Sequence, residues 1–243
     1  MCSSDLAVGV LPQTGRDLIM EFSVTQEKLK RELADARSNA KYLSMFGEGG
    51  LFLDLGANIA EVSISASPQF EKVVGVEAHP HTFERAKKRV EEANAKNVTL
   101  LNRAVASTTG EKMFVSTPEN TTGATARREK RLLNPAEGYY EEITSIGINE
   151  LLSEYKPRVV KIDIEGAEYE VLDAAQFPDC VEWLTVEFHG VRSESGAKRL
   201  QNCLDKLSSV GFEKLIPKEI SCTNGVPKAL YFVAVFQIGR AHV

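Results

Sequence analysis

Leu51-Phe52-Leu53-Asp54-Leu55-Gly56-Ala57-Asn58-Ile59-Ala60-Glu61-Val62 is the stretch on which the reading of the chain turns. Leu51, Phe52, Leu53 and Leu55 make a short apolar run, as a parallel strand covered on both faces requires. The run stops at Gly56, and an apolar-periodic helix starts near Glu61. A strand that passes through a glycine straight into a helix leaves backbone N–H groups at the carboxyl end of a sheet. Open α/β sheets bind their ligands at that edge. Asp54 at the strand end and Asn58 in the turn bring polar side chains to the same place.

Outward from this stretch, strand and helix alternate. Residues 60–67 read as a helix stopped by Pro68, residues 72–77 as a second strand, and residues 81–95 as an amphipathic helix with Phe83, Ala86, Val90 and Ala93 on one face. Residues 98–106 read as a third strand, which turns polar at Asn102-Arg103. The rhythm resumes with a helix at 148–155, a strand at 158–164, a helix carrying Val171, Leu172 and Ala175, and a strand at 183–188. Leu200, Cys203, Leu204 and Leu207 mark a last helix closed by Gly211. Two more strands near 213–220 and 229–236 are expected to form an antiparallel pair at the end of the sheet. The pattern predicts a doubly wound, mostly parallel α/β sheet of seven strands with helices on both faces.

Upstream, Gly47-Glu48-Gly49-Gly50 breaks the chain before the first strand. Residues 7–15 read as an unstructured lead and residues 16–46 as helical. Ser23 with Gln26 makes a capping box ahead of Leu29, Leu33, Ala36 and Ala40 at helical spacing. This extension (residues 7–46) packs on a sheet edge or serves as a lid or dimer contact. Residues 47–237 are the expected catalytic domain.

The ends read as foreign. Cys2-Ser3-Ser4-Asp5-Leu6 can be encoded by TGCTCTTCCGATCT, and the residues from Ile238 to Val243 by ATCGGAAGAGCACACGTC. The reverse complement of the first overlaps the second, as sequencing adapter on both ends of a fragment would. Residues 1–6 and 238–243 are therefore set aside as adapter-encoded.

Composition narrows the class. A net charge of −5 argues against a dedicated nucleic-acid binder. No apolar run approaches a membrane span. The four cysteines, Cys2, Cys180, Cys203 and Cys222, show neither a Cys-x-x-Cys pair nor metal-ligand spacing. Reduced thiols in a cytoplasmic protein are the simplest reading. Nothing sets an oligomeric state.

Residues 107–147 interrupt the alternation. Lys112–Ser116 reads as a strand, but residues 117–137 are rich in Thr, Asn, Gly, Pro and charge and read as a long loop. Thr121-Thr122-Gly123-Ala124-Thr125 could make a hydroxyl-lined turn facing the site. Arg127, Arg128, Lys130 and Arg131 form a basic cluster, either a clamp for a phosphate or acidic substrate or a solvated face.

Parallel strands bring their carboxyl ends to one edge. Here those ends carry Asp54, Glu77, Asn102, Asp163 with Glu165, and Glu187 with His189. The turn after the first strand separates two cofactor classes. A dinucleotide fingerprint needs glycines where Asn58 and Glu61 stand, so close approach of a pyrophosphate is not provided for. A nicotinamide oxidoreductase is thus the weaker alternative. An Asp-x-Gly-x-x loop with an acidic residue ending the second strand, here Glu77, suits S-adenosylmethionine (SAM). Methyl transfer needs an aligned acceptor and, for a hydroxyl, a base. Asp163, Glu187 and His189 are candidates, His189 because imidazole titrates nearest neutrality. The same three could hold a divalent metal, but no spacing motif supports one and no metal is assigned. Lys161 and Glu168 are a candidate ion pair bracing a strand–helix junction.

From Leu51 to His189 the chain resembles the FkbM family of SAM-dependent methyltransferases. The resemblance rests on Asp54-Leu55-Gly56-Ala57-Asn58, on Glu77 with Pro80, on Asn102 with Ala104, and on Glu187-Phe188-His189. Its most specific part is Lys161-Ile162-Asp163-Ile164-Glu165-Gly166-Ala167-Glu168 followed by Val171-Leu172. It implies a class I, Rossmann-like methyltransferase sheet, SAM as donor, and a hydroxyl acceptor on a sugar, glycolipid or secondary metabolite. Asp54, Gly56, Ala57, Asn58, Glu77, Asn102, Ala104 and Asp163 would contact the cofactor. Asp163, Glu165, Glu187 and His189 would face the acceptor. Ala60 departs from a glycine common in the family's loop, and Ala78 from a proline that often follows the acidic residue. A methyltransferase-like module that binds without catalysing is the non-enzymatic alternative.

Overall fold

The structure, a computed structural model, describes residues 39–116, 126–128, 140–216, 222–223, 226–227 and 231–239. The expected lead and most of the N-terminal helix, the hydroxyl-lined turn, Lys130 and Arg131 lie outside them. The chain divides into two units, Met1–Ser44 and Met45–Val243. A 3₁₀ helix, Asn39–Met45, is the described element at that boundary.

The second unit begins with β1 (Leu51–Leu55), whose residues are almost all buried. The chain continues through α1 (Glu61–Ala66), β2 (Lys72–Glu77), α2 (Pro80–Glu92), β3 (Val98–Asn102), β4 (Ala104–Ala106), β5 (Lys112–Ser116), β6 (Ala126–Arg127) and β7 (Tyr140–Gly147). Then come α3 (Ile148–Tyr155), β8 (Val159–Ile162), α4 (Glu168–Ala174), β9 (Trp183–His189), α5 (Glu194–Ser209), β10 (Phe212–Ile216), β11 (Cys222–Thr223), β12 (Val226–Pro227) and β13 (Tyr231–Ile238).

The seven-stranded sheet has the order β10-β13-β9-β8-β1-β2-β3. β13 runs antiparallel to both its neighbours, and the remaining pairs are parallel. This is the doubly wound, seven-stranded sheet that the alternation predicts, with the last strand reversed. Ile238, the first residue read as adapter-encoded at that end, extends β13 opposite Phe212. The chain leaves β1 toward β2 on one side and reaches β8 on the other. The crevice between the carboxyl ends of β1 and β8 is thus the switch point at which such sheets bind ligands.

Burial explains the strands. Leu53, Leu55, Val74, Val76, Val160 and Ile162 are at most 1% exposed, so the central strands are covered on both faces. α2 starts at Pro80, one residue before the sequence expectation, because His79 caps it: its Nδ1 accepts from Thr82 N–H at 3.2 Å. Arg158 donates to the carbonyls of Gly49 at 2.9 Å and Phe46 at 2.5 Å, which fixes the glycine-rich lead into β1.

The structure departs from the expected elements in one region. The strand expected over 98–106 breaks at Arg103, and Ala104–Ala106 pairs with β7 in a second sheet ordered β4-β7-β5-β6. β7 lies within the stretch 107–147 that interrupts the alternation, just after the residues read as a loop. Its glutamates Glu141 and Glu142 hide a strand whose later residues Ile143, Ser145 and Ile146 are buried. Ala104, Met113, Val115 and Ile143 pack as a small separate core. No helix among the described residues is long and apolar enough to cross a membrane.

Candidate functional site

The turn after β1 is built by a close backbone approach. Gly56 has φ +81°, and a Cβ there would lie 1.7 Å from the carbonyl oxygen of Asp163. Only glycine lets the end of β8 pass this near. The N–H groups of Gly56 and Ala57 both donate to Val76 O at 2.9 Å, which folds the turn back over β2. Asn58 (φ 50°) and Ala60 (φ 61°) are also left-handed. Ala60, standing where the resemblance expects glycine, therefore carries the strain that glycine would avoid.

Glu77 is fixed at the end of β2. Its carboxylate accepts from Asn58 N–H and from His79 N–H, each at 2.8 Å. Burial pushes this carboxyl above its ordinary range, and the two N–H donors and Lys161 pull against it. Asn102 donates its amide to the carbonyls of Glu77 at 2.8 Å and Ala78 at 3.2 Å. It thereby ties β3 to the acidic strand end.

Below the turn sits a buried ion pair. Lys161 Nζ is 2.9 Å from Asp54 Oδ1, and their side chains are 4% and 0% exposed. Ser63 Oγ donates to Asp54 Oδ2 at 2.6 Å. Lys161 also donates to Gly56 O at 3.1 Å and lies 3.6 Å from Asp163 Oδ2. Burial alone would lower the Lys161 pKa, but Asp54, Asp163 and Glu187 together hold it above its usual value. Lys161 thus braces the turn from beneath through Asp54. The expected pairing of Lys161 with Glu168 is corrected here, because each is engaged elsewhere.

Glu168 is engaged with His189. It opens α4 fully buried, and its Oε1 accepts from Gly166 N–H at 2.9 Å and lies 2.8 Å from His189 Nδ1. His189 Nε2 is 3.3 Å from Glu165 Oε2 and 3.6 Å from Glu187 Oε1. Burial would lower the imidazole pKa, but Glu168, Glu165 and Glu187 override it and raise the value to about 9. His189 is accordingly a cation at neutral pH. It is not the resting base suggested by an ordinary imidazole. Burial raises the Glu165 carboxyl, with His189 opposing. Glu165 also adopts φ 54°, a left-handed backbone that a side chain strains.

An open cleft of about 620 Å³, its solvent-filled part included, joins the two halves. Gly56, Asn58 and Glu77 line one side, Asp163 and Glu165 the other, and Ala126 also lines it. Asp54 and Ala57 lie behind the turn, and Ala104 is buried beside the strand end. Glu187 and His189 adjoin the cleft through Asp163, one ligand atom of each lying within 4.8 Å of the others. Sequence reasoning missed Ala126 and Val105, which reach the cleft from the second sheet, and Arg103 at the break before β4.

The basic cluster has a different use from a phosphate clamp at the one side chain described. Arg128 pairs with Glu111 at 2.6 Å and bidentately with Glu170 at 2.5 and 2.7 Å. Arg128 depresses the Glu170 carboxyl to about 2. The guanidinium therefore fastens the segment bearing Ala126 onto α4.

A family model described as Methyltransferase FkbM domain matches residues 54–214. No curated protein sequence matches the chain. Among solved structures, the chain is similar to a precorrin-6y C5,15-methyltransferase from Geobacter metallireducens GS-15, with 16% identity, TM-score 0.46, and 82% of this chain and 85% of that one covered. It is also similar to an rRNA methylase from Streptococcus thermophilus, with 9% identity, TM-score 0.45, and 82% and 93% covered. At these TM-scores the likenesses decide nothing about the acceptor, RNA included.

Proposed function

The chain belongs to the FkbM methyltransferase domain family, and on that premise we propose that it transfers a methyl group from SAM to a hydroxyl of a small-molecule or glycan acceptor. One observation carries this reading. One cleft is lined by Glu77, a carboxylate fixed by backbone donors, and by Asp163 and Glu165 after β8, with His189 3.3 Å from Glu165. The negative net charge favours a neutral acceptor over nucleic acid. A cytoplasmic location belongs to the same reading, supported by the free thiols of Cys180 and Cys203.

In this reading the Gly56 turn would hold SAM. Glu77, already oriented by Asn58 and His79, receives the ribose hydroxyls on its remaining lone pairs. Asn58 and Asp163 flank the methionine end. Asp54, Ala57, Asn102 and Ala104 act behind the surface by holding the turn and the strand ends in place.

The acceptor hydroxyl sits over Asp163, Glu165 and Glu187. SAM, when bound, would supply the methyl group to the hydroxyl oxygen and leave as the thioether. The hydroxyl proton passes to Glu165, whose carboxylate is made more basic than usual by burial. His189, already protonated, orients Glu165 and Glu187 and offsets their charge.

The test is transfer of label from methyl-labelled SAM to a panel of sugars, glycolipids and other hydroxyl compounds, with structured RNA as a separate arm. Labelling of a hydroxyl compound that is lost in Glu165→Gln is expected. Labelling of RNA alone would overturn the acceptor assignment.

A further inference from the structure

We propose that His79 is a positioning residue for the cofactor site: its neutral imidazole caps α2 and so holds the backbone N–H that orients Glu77, which makes SAM binding weaken in acid. The inference rests on the reading that Glu77 holds the cofactor.

Hydrogen bonds fix the state of the ring. His79 precedes Pro80, the first residue of α2, with an extended backbone (φ −78°, ψ 115°). Its Nδ1 accepts from Thr82 N–H at 3.2 Å, and Thr82 Oγ1 lies at the same distance, 3.2 Å. A backbone N–H can only donate, so Nδ1 carries no proton and the single proton of the neutral imidazole is on Nε2. Helices more often take this cap from Ser, Thr or Asn, which do not titrate near neutrality. A cap made by imidazole exists only while the ring is neutral.

The surroundings oppose a second proton. His79 is 2% exposed, and its Nε2 has no hydrogen-bond partner among the described residues. Burial holds the imidazole below its ordinary range. The titratable groups that face it are His81 from α2, Glu141 from β7 and Glu77 from β2. The His79 and His81 ring centroids are 5.8 Å apart, and His81 Nε2 is 3.0 Å from Glu141 Oε1. Glu141 favours a charged His79, but it is engaged by His81, and burial outweighs it.

The same residue reaches the cofactor edge through its main chain. His79 N–H donates to Glu77 Oε1 at 2.8 Å, and Asn58 N–H to Glu77 Oε2 at 2.8 Å. The side chain thus anchors His79 to the first turn of α2 while its backbone anchors Glu77. A proton on Nδ1 would set two donors face to face, Nδ1–H and Thr82 N–H, and release the cap. The His79 N–H then loses its fixed direction, and Glu77 keeps only the donor from Asn58. Burial already raises the Glu77 carboxyl, and the His79 N–H is the first of the pulls against it. Acid therefore acts at both residues: the cap opens, and Glu77 takes up a proton more readily.

The test measures the affinity of the full chain for S-adenosylhomocysteine (SAH) by calorimetry, from about pH 7.5 down to about pH 5, across the ordinary imidazole range. The wild type should weaken at least about three-fold over that range. His79→Asn keeps a cap that does not titrate. It should weaken less than the wild type over the same range, and at neutral pH it should bind SAH several-fold more tightly than His79→Ala. His81→Gln should keep the wild-type fall. An acid fall as large in His79→Asn as in the wild type, or a His79→Ala chain that matches the wild type at neutral pH, overturns the inference. Nitrogen NMR shifts of the His79 ring read the cap without any ligand. A proton on Nε2 alone is expected at neutral pH, and a proton on Nδ1 there overturns the inference. A ring protonated on Nε2 alone in a chain that binds no SAH at any pH would support the cap and remove the SAM reading.

Discussion

Lys161 Nζ and Asp54 Oδ1 lie 2.9 Å apart with both side chains buried, directly beneath the turn that carries the cofactor edge. The pair joins β8 to β1 across the switch point, so the shape of the turn depends on an ionic contact beneath it. Removing one partner leaves an uncompensated buried charge, which costs about 3–5 kcal/mol. Lys161→Met should lower unfolding free energy by that order in a urea titration. The double variant Asp54→Asn with Lys161→Met should recover part of it. A loss in the double variant equal to the sum of the losses in Lys161→Met and Asp54→Asn alone would show that the two residues act independently.

Gly56 gives a second, sharper prediction. A side chain there would stand where the cofactor is expected to bind. The structure gives another cause, because the Cβ would strike the Asp163 carbonyl at 1.7 Å and the backbone is left-handed. Gly56→Ala should therefore destabilise the fold itself by about 4 kcal/mol or more, at the upper end for one substitution. A stable, well-folded Gly56→Ala chain that has merely lost SAH binding would restore the first explanation.

His189 should make stability depend on pH. Its folded pKa, about 9, lies above the ordinary imidazole value of 6.5. The folded state thus holds a proton that the unfolded state releases first. This stabilisation is complete below about pH 6.5 and is lost as pH rises through about 9. Urea midpoints of the wild type should fall across that window, and His189→Gln should flatten the fall. A midpoint that rises between those values in the wild type would contradict the assignment.

Arg128 fastens the segment bearing Ala126, which lines the cleft, through exposed carboxylates. Exposed pairs contribute little to stability and are screened by salt. Arg128→Gln should leave the thermal midpoint nearly unchanged but speed SAH dissociation several-fold. The difference should shrink at high salt. An unchanged dissociation rate would separate the clasp from the cleft.

Much of the sheet was legible because its strands are apolar runs that end in polar residues. Phe52, Leu53 and Leu55 are buried on both faces as that pattern requires. The strand-end residues Glu77, Asp163, Glu165, Glu187 and His189 could be placed on one edge because parallel topology brings them there. The second sheet was not legible. Tyr140-Glu141-Glu142 masks the strand that follows, and β4 is too short to read once the chain breaks at Arg103. Partner choice was equally hidden. That Lys161 turns to Asp54 and Glu168 to His189 depends on the face of β8 from which Lys161 projects and the side of α4 that Glu168 takes, and sequence spacing alone does not fix this. The imidazole's charge followed from three carboxylates converging from β9 and the β8–α4 turn, a tertiary fact.

The central claim, that the Glu77 edge is a SAM site, is tested most directly by calorimetric titration with SAH, with NADH as control. One-site binding of SAH alone is predicted. Glu77→Gln should weaken it by at least about ten-fold, the scale of a lost hydrogen bond to a charged group. Binding of NADH with none of SAH, or SAH binding indifferent to Glu77→Gln, would contradict the account.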